Sequence, residues 1–282
     1  MDLVLRPDGA LAGHPGGGPY NVARTIGRLG GEVRYLGAIS TDAFGARLLG
    51  GLEADGVDTR AVVATDAPTT LALAELDGEG GARYRFYVDG TSAPALEAGA
   101  VPGGTETFYL GTLGLVFEPL GTTLEALALG VADDVLLAID PNCRPSAIAD
   151  EAAYRSRLSR LLARADVVKV SDEDMAWLAP GEDPVRAARA LGAPVALLTR
   201  GPAGAVVVTA GEAAEVPAPA VRVVDTIGAG DAFMGAFLSE WTGGRDLGDG
   251  AALAAATEFA CRVAALACAR PGADPPRRDE LA

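Results

Sequence analysis

Short runs of β-branched residues alternate with longer segments of helical period along most of this chain. That alternation constrains its fold more than any other feature, because strands joined by crossover helices lie parallel in one sheet covered on both faces. Val22, Ile26 and Leu29 recur at helical spacing and stop at Gly30-Gly31. Val33 to Ile39 reads as a strand, and Phe44, Leu48, Leu49 and Leu52 as the next helix. A strand from Thr107 to Leu110 leads to a helix around Leu120 to Leu129, and a buried strand from Val135 to Ile139 leads to a charged helix near Glu151 to Ala163. Val167 to Val170, Val195 to Leu198 and Ala205 to Val208 continue the series, and helices at Ala229 to Trp241 and Asp249 to Ala267 close it. The expectation is one α/β domain over residues 1–282, a three-layer α-β-α arrangement around a mostly parallel sheet.

Two places break the rhythm. Residues 69–88 form two alternating runs around Asp77-Gly78-Glu79-Gly80-Gly81, the pattern of an antiparallel hairpin. It reads either as an edge hairpin of the main sheet or, the reading adopted here, as a small antiparallel β lid over a site, with lid elements at roughly 7–15 and 68–92. The start is the second break. Only Leu3-Val4-Leu5 precedes the turn Pro7-Asp8-Gly9, so most of an opening core strand is missing from the pattern.

Composition excludes several functions. The 282 residues are 49% hydrophobic, which is ample for a core, and the net charge of −15 repels nucleic acid and anionic membranes. Arg155, Arg157, Arg160 and Arg164 make the densest basic run, with the spacing of an exposed helix face. No apolar stretch reaches the ~20 residues of a membrane span, and the first residues lack a secretory signal pattern. A cytoplasmic protein with neither nucleic-acid nor membrane partners is expected. Lys169 is the sole lysine and sits in a strand-like Val-Val-Lys-Val-Ser, so a Walker A loop is excluded. His14 is the sole histidine and reads as a loop residue, which argues against histidine-rich metal sites and a Ser-His-Asp triad. Cys143, Cys261 and Cys268 lack metal-ligand spacing.

Chemistry concentrates in Asp225-Thr226-Ile227-Gly228-Ala229-Gly230-Asp231-Ala232-Phe233. Glycines where a loop enters a helix let backbone N–H groups converge on an anion, and the helix dipole favours negative charge there. Asp231 falls in the first helical turn. It either complements the dipole or acts as a general base beside an anion hole. A dinucleotide-dependent oxidoreductase is disfavoured, because Phe233 stands where that fingerprint needs its third glycine.

DTIGAGDAF followed by MGAFL closely resembles the C-terminal signature of the PfkB (ribokinase-like) carbohydrate kinases. Gly16-Gly17-Gly18-Pro19-Tyr20-Asn21-Val22-Ala23 with Arg28-Leu29-Gly30 resembles that family's N-terminal signature. LEADGVDT at 52–59, DPNCR at 140–144, KVSDE at 169–173 and TRGPAG at 199–204 extend the resemblance over essentially the whole chain, nearest to the fructokinase and 2-keto-3-deoxygluconate kinase branch. It implies a ribokinase-like fold and an ATP-dependent phosphotransferase acting on a primary hydroxyl of a sugar, fructose or a related hexose first. A 2-keto-3-deoxygluconate kinase, a nucleoside kinase, or a non-catalytic sugar-binding protein on the same fold are the alternatives.

The resemblance also implies roles. Asp231 would be the catalytic base, and the amides of Gly228, Ala229, Gly230 and Asp231 the anion hole. Asp2, Gly17, Gly18 and Asn21 would bind the sugar, with Arg144 a phosphate or carboxylate reader, or else a surface ion pair. Asn142, Asp174, Thr199, Gly201 and Gly204 would serve the nucleotide. Asp225 and the carbonyl of Ile227 would help hold a monovalent cation such as K⁺, with Mg²⁺ riding on ATP. Family members often dimerise through the lid, where Leu71, Leu73, Phe86 and Val88 would offer an apolar face. Two departures stand out. Ser171-Asp172-Glu173-Asp174 replaces the family's Asn-x-x-Glu, and the first core strand survives only as Met1-Asp2-Leu3-Val4, through a late start or a true loss.

Overall fold

A computed structural model describes residues 1–76, 82–97, 99–241 and 244–281; the turn expected at 77–81 lies outside them. The chain opens with strands β1 (Asp2–Leu5) and β2 (Leu11–His14), helix α1 (Gly18–Arg28), strand β3 (Gly37–Ser40), helix α2 (Ala43–Ala54) and strand β4 (Val62–Thr65). A hairpin of β5 (Leu71–Leu76) and β6 (Ala82–Tyr87) follows. Then come β7 (Thr107–Gly111), α3 (Leu120–Gly130), β8 (Leu136–Asp140), α4 (Glu151–Arg164), β9 (Val167–Ser171), α5 (Asp172–Leu178) and α6 (Pro184–Ala190). Strands β10 (Val195–Thr199), β11 (Ala205–Val208) and β12 (Ala213–Val216) and helices α7 (Ala229–Glu240) and α8 (Gly250–Cys268) complete it.

The central sheet runs β12-β11-β10-β9-β8-β7, parallel from β7 to β10 and antiparallel at the β11–β12 edge. Strands β8 to β11 are buried on both faces, as a sheet covered on both sides requires. Leu137, Ile139, Val168, Val170, Ala196 and Leu198 face the layer of α4, α5 and α6. Leu136, Ala138, Val167, Val195 and Leu197 face the layer of α7 and α8. Helix α8 is long and apolar enough to cross a membrane by length and composition. Here Leu253, Ala260 and Val263 are instead fully buried in the core that α8 shares with α7 and the sheet.

Three expectations need correction. Met1–Val4 is not the stump of a central strand: β1 lies in a separate four-stranded sheet ordered β2-β1-β5-β6. That lid sheet is mixed rather than antiparallel, because β1 pairs parallel with β5. Its register also splits the anticipated apolar face. Leu71 and Leu73 lie opposite Tyr87 and Arg85, whereas Phe86 lies opposite Ala72 on the other side and its ring packs against Phe117 of the core.

The strand expected from Val33 is continuous only over Gly37–Ser40; ahead of it the pairing is reduced to an isolated parallel bridge between Arg34 and Asp58, where Tyr35 donates its N–H to the Asp58 carbonyl. Among the described residues β3 pairs only with β4, and β7 only with β8, so the parallel layer is split. A cavity of about 880 Å³, lined from both sides by residues such as Val22, Ile26, Tyr35, Ile39, Phe108 and Leu110, separates the two parts.

Candidate active site

Helix α7 begins at Gly228, whose left-handed φ of 76° is costly for any residue with a side chain. A Cβ there would also lie 2.7 Å from that of Ala273, so glycine is required twice over. The first helical bond runs from the Ala232 N–H to the Gly228 carbonyl at 2.8 Å, and the Ala229 N–H turns back to the Thr226 carbonyl at 3.2 Å. Ala229 is thereby engaged. The N–H groups of Gly230 and Asp231 are left as the orphan donors that a helix start offers to an anion.

Asp231 follows in the first turn and is 7% exposed. Its Oδ2 accepts a 2.8 Å hydrogen bond from Asn21 Nδ2 on α1. That contact needs α1 and α7 to approach closely, and Gly235 permits it: a Cβ there would sit 2.6 Å from the Cβ of Thr25. Asn21 and Thr25 are four apart, as are Asp231 and Gly235, so the two contacts are successive rungs of one helix pair. Asn21 Oδ1 is buried and has no partner among the described residues, which leaves it open to a substrate hydroxyl. Burial pushes the Asp231 carboxyl up to about 7. The nearby acids Asp140 and Asp2 act in the same direction, while the Asn21 hydrogen bond and Lys169 oppose them.

The glycine run lies beside Asp2. A Cβ on Gly16 would stand 1.8 Å from Asp2 Oδ2, and one on Gly18 would stand 2.4 Å from the Thr112 methyl. Gly17 has φ 122° and starts α1. Asp2, Gly16, Gly17 and Gly18 thus gather with Asn21 and Asp231 at one end of α1. Burial raises the Asp2 carboxyl above its ordinary range. The large cavity reaches Asp2 and Gly16–Gly18 but not Asn21 or Asp231. Beyond them it follows the gap between the two parts of the parallel layer.

The remaining expected residues are more dispersed. Asn142 turns the chain after β8 with φ 38°. Arg144 is exposed and donates to its neighbour's carbonyl at 3.0 Å, and no ion pair forms for it among the described residues. Asp174 is buried and held by protein donors. Its Oδ1 accepts from the Cys143 N–H at 2.6 Å, and its Oδ2 accepts from the Ser171 N–H and hydroxyl at 2.8 and 2.7 Å. It closes a capping box on α5 and ties that helix to the loop after β8. Thr199 ends β10 level with Ser171 of β9, at the carboxyl edge where open α/β sheets bind ligands. Gly201 and Gly204 turn the chain just beyond it, and a Cβ on Gly204 would strike the Val216 carbonyl at 2.1 Å. Asp225 accepts the N–H of Ile227 at 3.0 Å and of Gly272 at 2.8 Å, which shapes the loop ahead of Gly228.

Residue reading missed Gly16, Thr112, Asp140 and Tyr109. Asp140 Oδ1 and the Tyr109 hydroxyl are buried without partners on the same side of the sheet as α7. Gly16 and Asp140 lie inside the quoted motifs without a role of their own, and Asp140 ends β8 opposite Gly111, which ends β7 just before Thr112.

A carboxylate poised near neutrality, held by an amide side chain beside two free helix-start N–H groups, is the equipment of a phosphotransferase acting on an alcohol. The model of the pfkB family carbohydrate kinases matches residues 8–280, and the chain belongs to that family. Two plain likenesses refine it. The chain is 36% identical over 244 residues to a fructokinase of Rhizobium leguminosarum bv. trifolii, covering 84% of this chain and 74% of that protein. It is 34% identical over 274 residues to the probable fructokinase-5 of Arabidopsis thaliana, covering 93% and 84%. Among solved structures, Vibrio cholerae O395 fructokinase with fructose, ADP and calcium superposes with a TM-score of 0.88 at 26% identity, over 99% of this chain and 94% of the other. Aminoimidazole riboside kinase from Salmonella enterica, with its riboside and an ATP analogue, gives 0.87 at 27% identity, over 99% and 95%.

Proposed function

We propose that this carbohydrate kinase transfers the γ-phosphoryl group of ATP to a primary hydroxyl of fructose. The observation that carries the reading is the buried Asn21–Asp231 pair at the start of α7. Asp231 takes the proton from the attacking hydroxyl, Asn21 fixes the carboxylate and offers Oδ1 to the sugar, and the Gly230 and Asp231 amides receive the charge that develops on the phosphoryl oxygens. Asp2 and the Gly16–Gly18 backbone complete the sugar side, and the lid sheet excludes water from it. Thr199, Gly201 and Gly204 serve the nucleotide, with the exposed apolar stretch of Val223, Val224 and Ile227 leading from them to Gly228.

Mg²⁺ bound with ATP supplies neutralisation of the phosphate charge. The donor set fits an ion carried on phosphates, because the Asp174 oxygens already accept three protein hydrogen bonds. Asp225 and the Ile227 carbonyl would help hold K⁺. The same reading places the enzyme in the cytoplasm. For a second copy of the chain, the lid offers exposed Leu11 and Tyr87 on the side that also carries Leu71 and Leu73.

The test is a substrate panel with ATP and Mg²⁺: fructose, other hexoses, 2-keto-3-deoxygluconate and aminoimidazole riboside. Fructose should show the highest kcat/KM. A higher value for the keto acid or the riboside moves the enzyme to another acceptor, and turnover of none of them removes the kinase reading.

A further inference from the structure

Twenty-three residues of this chain are lysine or arginine, and Lys169 alone is lysine. It is also buried, at 4% exposure, on the middle strand of the sheet. Alternation along β9 turns it with Val167 toward α7. The register aligns Ile139 with Val168, which sets Asp140 beside Lys169, and the ammonium meets Asp140 Oδ2 at 3.0 Å. A Cβ placed on Gly230 would lie 3.0 Å from Nζ, so the ammonium touches the first turn of α7 where that residue has no side chain. An arginine there would press a wider, planar guanidinium against the Gly230 backbone.

A buried ion pair is a weak way to stabilise a fold, since apolar residues of similar volume serve as well or better. This pair also leaves Asp140 Oδ1 unpartnered. Its place under the helix start accounts for it better than packing does. We propose that Lys169 is a positioning residue of the phosphoryl-transfer site: its ammonium, clamped by Asp140 beneath Gly230, sets fixed positive charge under the amides of Gly230 and Asp231 and holds that first turn in place. Burial works against the ammonium, but Asp140 and Asp174 carry its pKa above the ordinary lysine range, so it stays charged.

The inference rests on Asp231 as the base, which is faced by Asn21 from α1, Asp2 from β1, Tyr109 from β7, Asp140 from β8 and Lys169 from β9. Lys169→Met removes the one cation in that set. With the sugar the wild type uses best, kcat should fall roughly 100-fold, as for loss of one anion-hole donor, while the sugar Kd stays within about 3-fold. The acid limb of the kcat profile should move to higher pH by about one unit or more, because Asp231 loses its cationic neighbour. Lys169→Arg should not restore activity. Added methylamine should partly rescue Lys169→Ala.

A loss of kcat with an unmoved acid limb would assign Lys169 to packing alone, and a kcat within about 3-fold of wild type would overturn the proposal outright. Should these variants fail to fold, the wild type suffices. Labelling with ¹⁵Nζ-lysine yields one resonance, which should shift when ADP, Mg²⁺ and sugar bind. An unmoved resonance sinks the proposal. If no sugar in the panel is turned over, the kinase reading fails, and the resonance still reports whether nucleotide at the start of α7 is felt by Lys169.

Discussion

The two halves of the site are built in opposite ways. On the side proposed for the sugar, Asn21 and Asp231 are buried between two helices in close contact, and their geometry is set by Gly235 against Thr25. On the side proposed for the nucleotide, Arg200, Gly201 and Ile227 are exposed, and the chain there is a series of turns held by backbone hydrogen bonds. The difference follows from what each half does. A proton-transferring carboxylate needs its pKa raised and its position fixed, and burial provides both. A nucleotide needs N–H groups and an open entry, which turns at the carboxyl ends of parallel strands supply.

That contrast is broken most directly at Asp231. Asp231→Asn should lower kcat by roughly 10³- to 10⁴-fold while calorimetry still detects sugar binding; retained turnover removes Asp231 as the base. The same variant tests the cost of burial. The Asp231 pKa, raised to about 7 from an ordinary value of 3.8, means that ionisation weakens the fold as pH climbs through that interval. Asp231→Asn should therefore be more stable than wild type at pH 8, by at most on the order of 4 kcal/mol, and no more stable at pH 3. Denaturant titrations at the two pH values decide it.

Next in size is Asn21→Ala, which frees the carboxylate and should cost roughly 100-fold in kcat. In the wild type, kcat should rise with pH through about 7 as Asp231 loses its proton. A flat profile from pH 5 to 8 would show that the carboxyl is not held near neutrality.

Effects on the nucleotide side should be smaller and of another kind. Ile227→Ala trims a side chain 47% exposed, so it should raise the KM for ATP roughly 3- to 10-fold with kcat and stability nearly unchanged. A larger loss in kcat than in KM would dissolve the division between the halves. Arg144→Ala should change fructose turnover least, since the guanidinium is exposed and bonds only to the preceding carbonyl. A selective loss with a keto-acid substrate would return it to the site.

Legibility tracked how local each feature is. Helices α4, α7 and α8 were readable to within about two residues, because hydrophobic period and Asp or Gly at the helix starts are properties of the segment itself. Asp231, Asn21 and the glycines were readable as motif positions. Asp174 is less legible, because a carboxylate at the third helical position serves a capping box as readily as a metal, and its three protein donors exist only in the folded chain.

By itself, the sequence determined the α/β class, the glycine-flanked helix start, and the carboxylate in its first turn, because each depends on residue spacing within one segment. The tertiary structure decided the rest. It placed Asp2–Leu5 in the lid rather than the central sheet, divided the parallel layer between β3 and β7, and brought Lys169 under Gly230. These depend on strand register and helix approach between segments about sixty to seventy residues apart, and no local pattern encodes which edges meet.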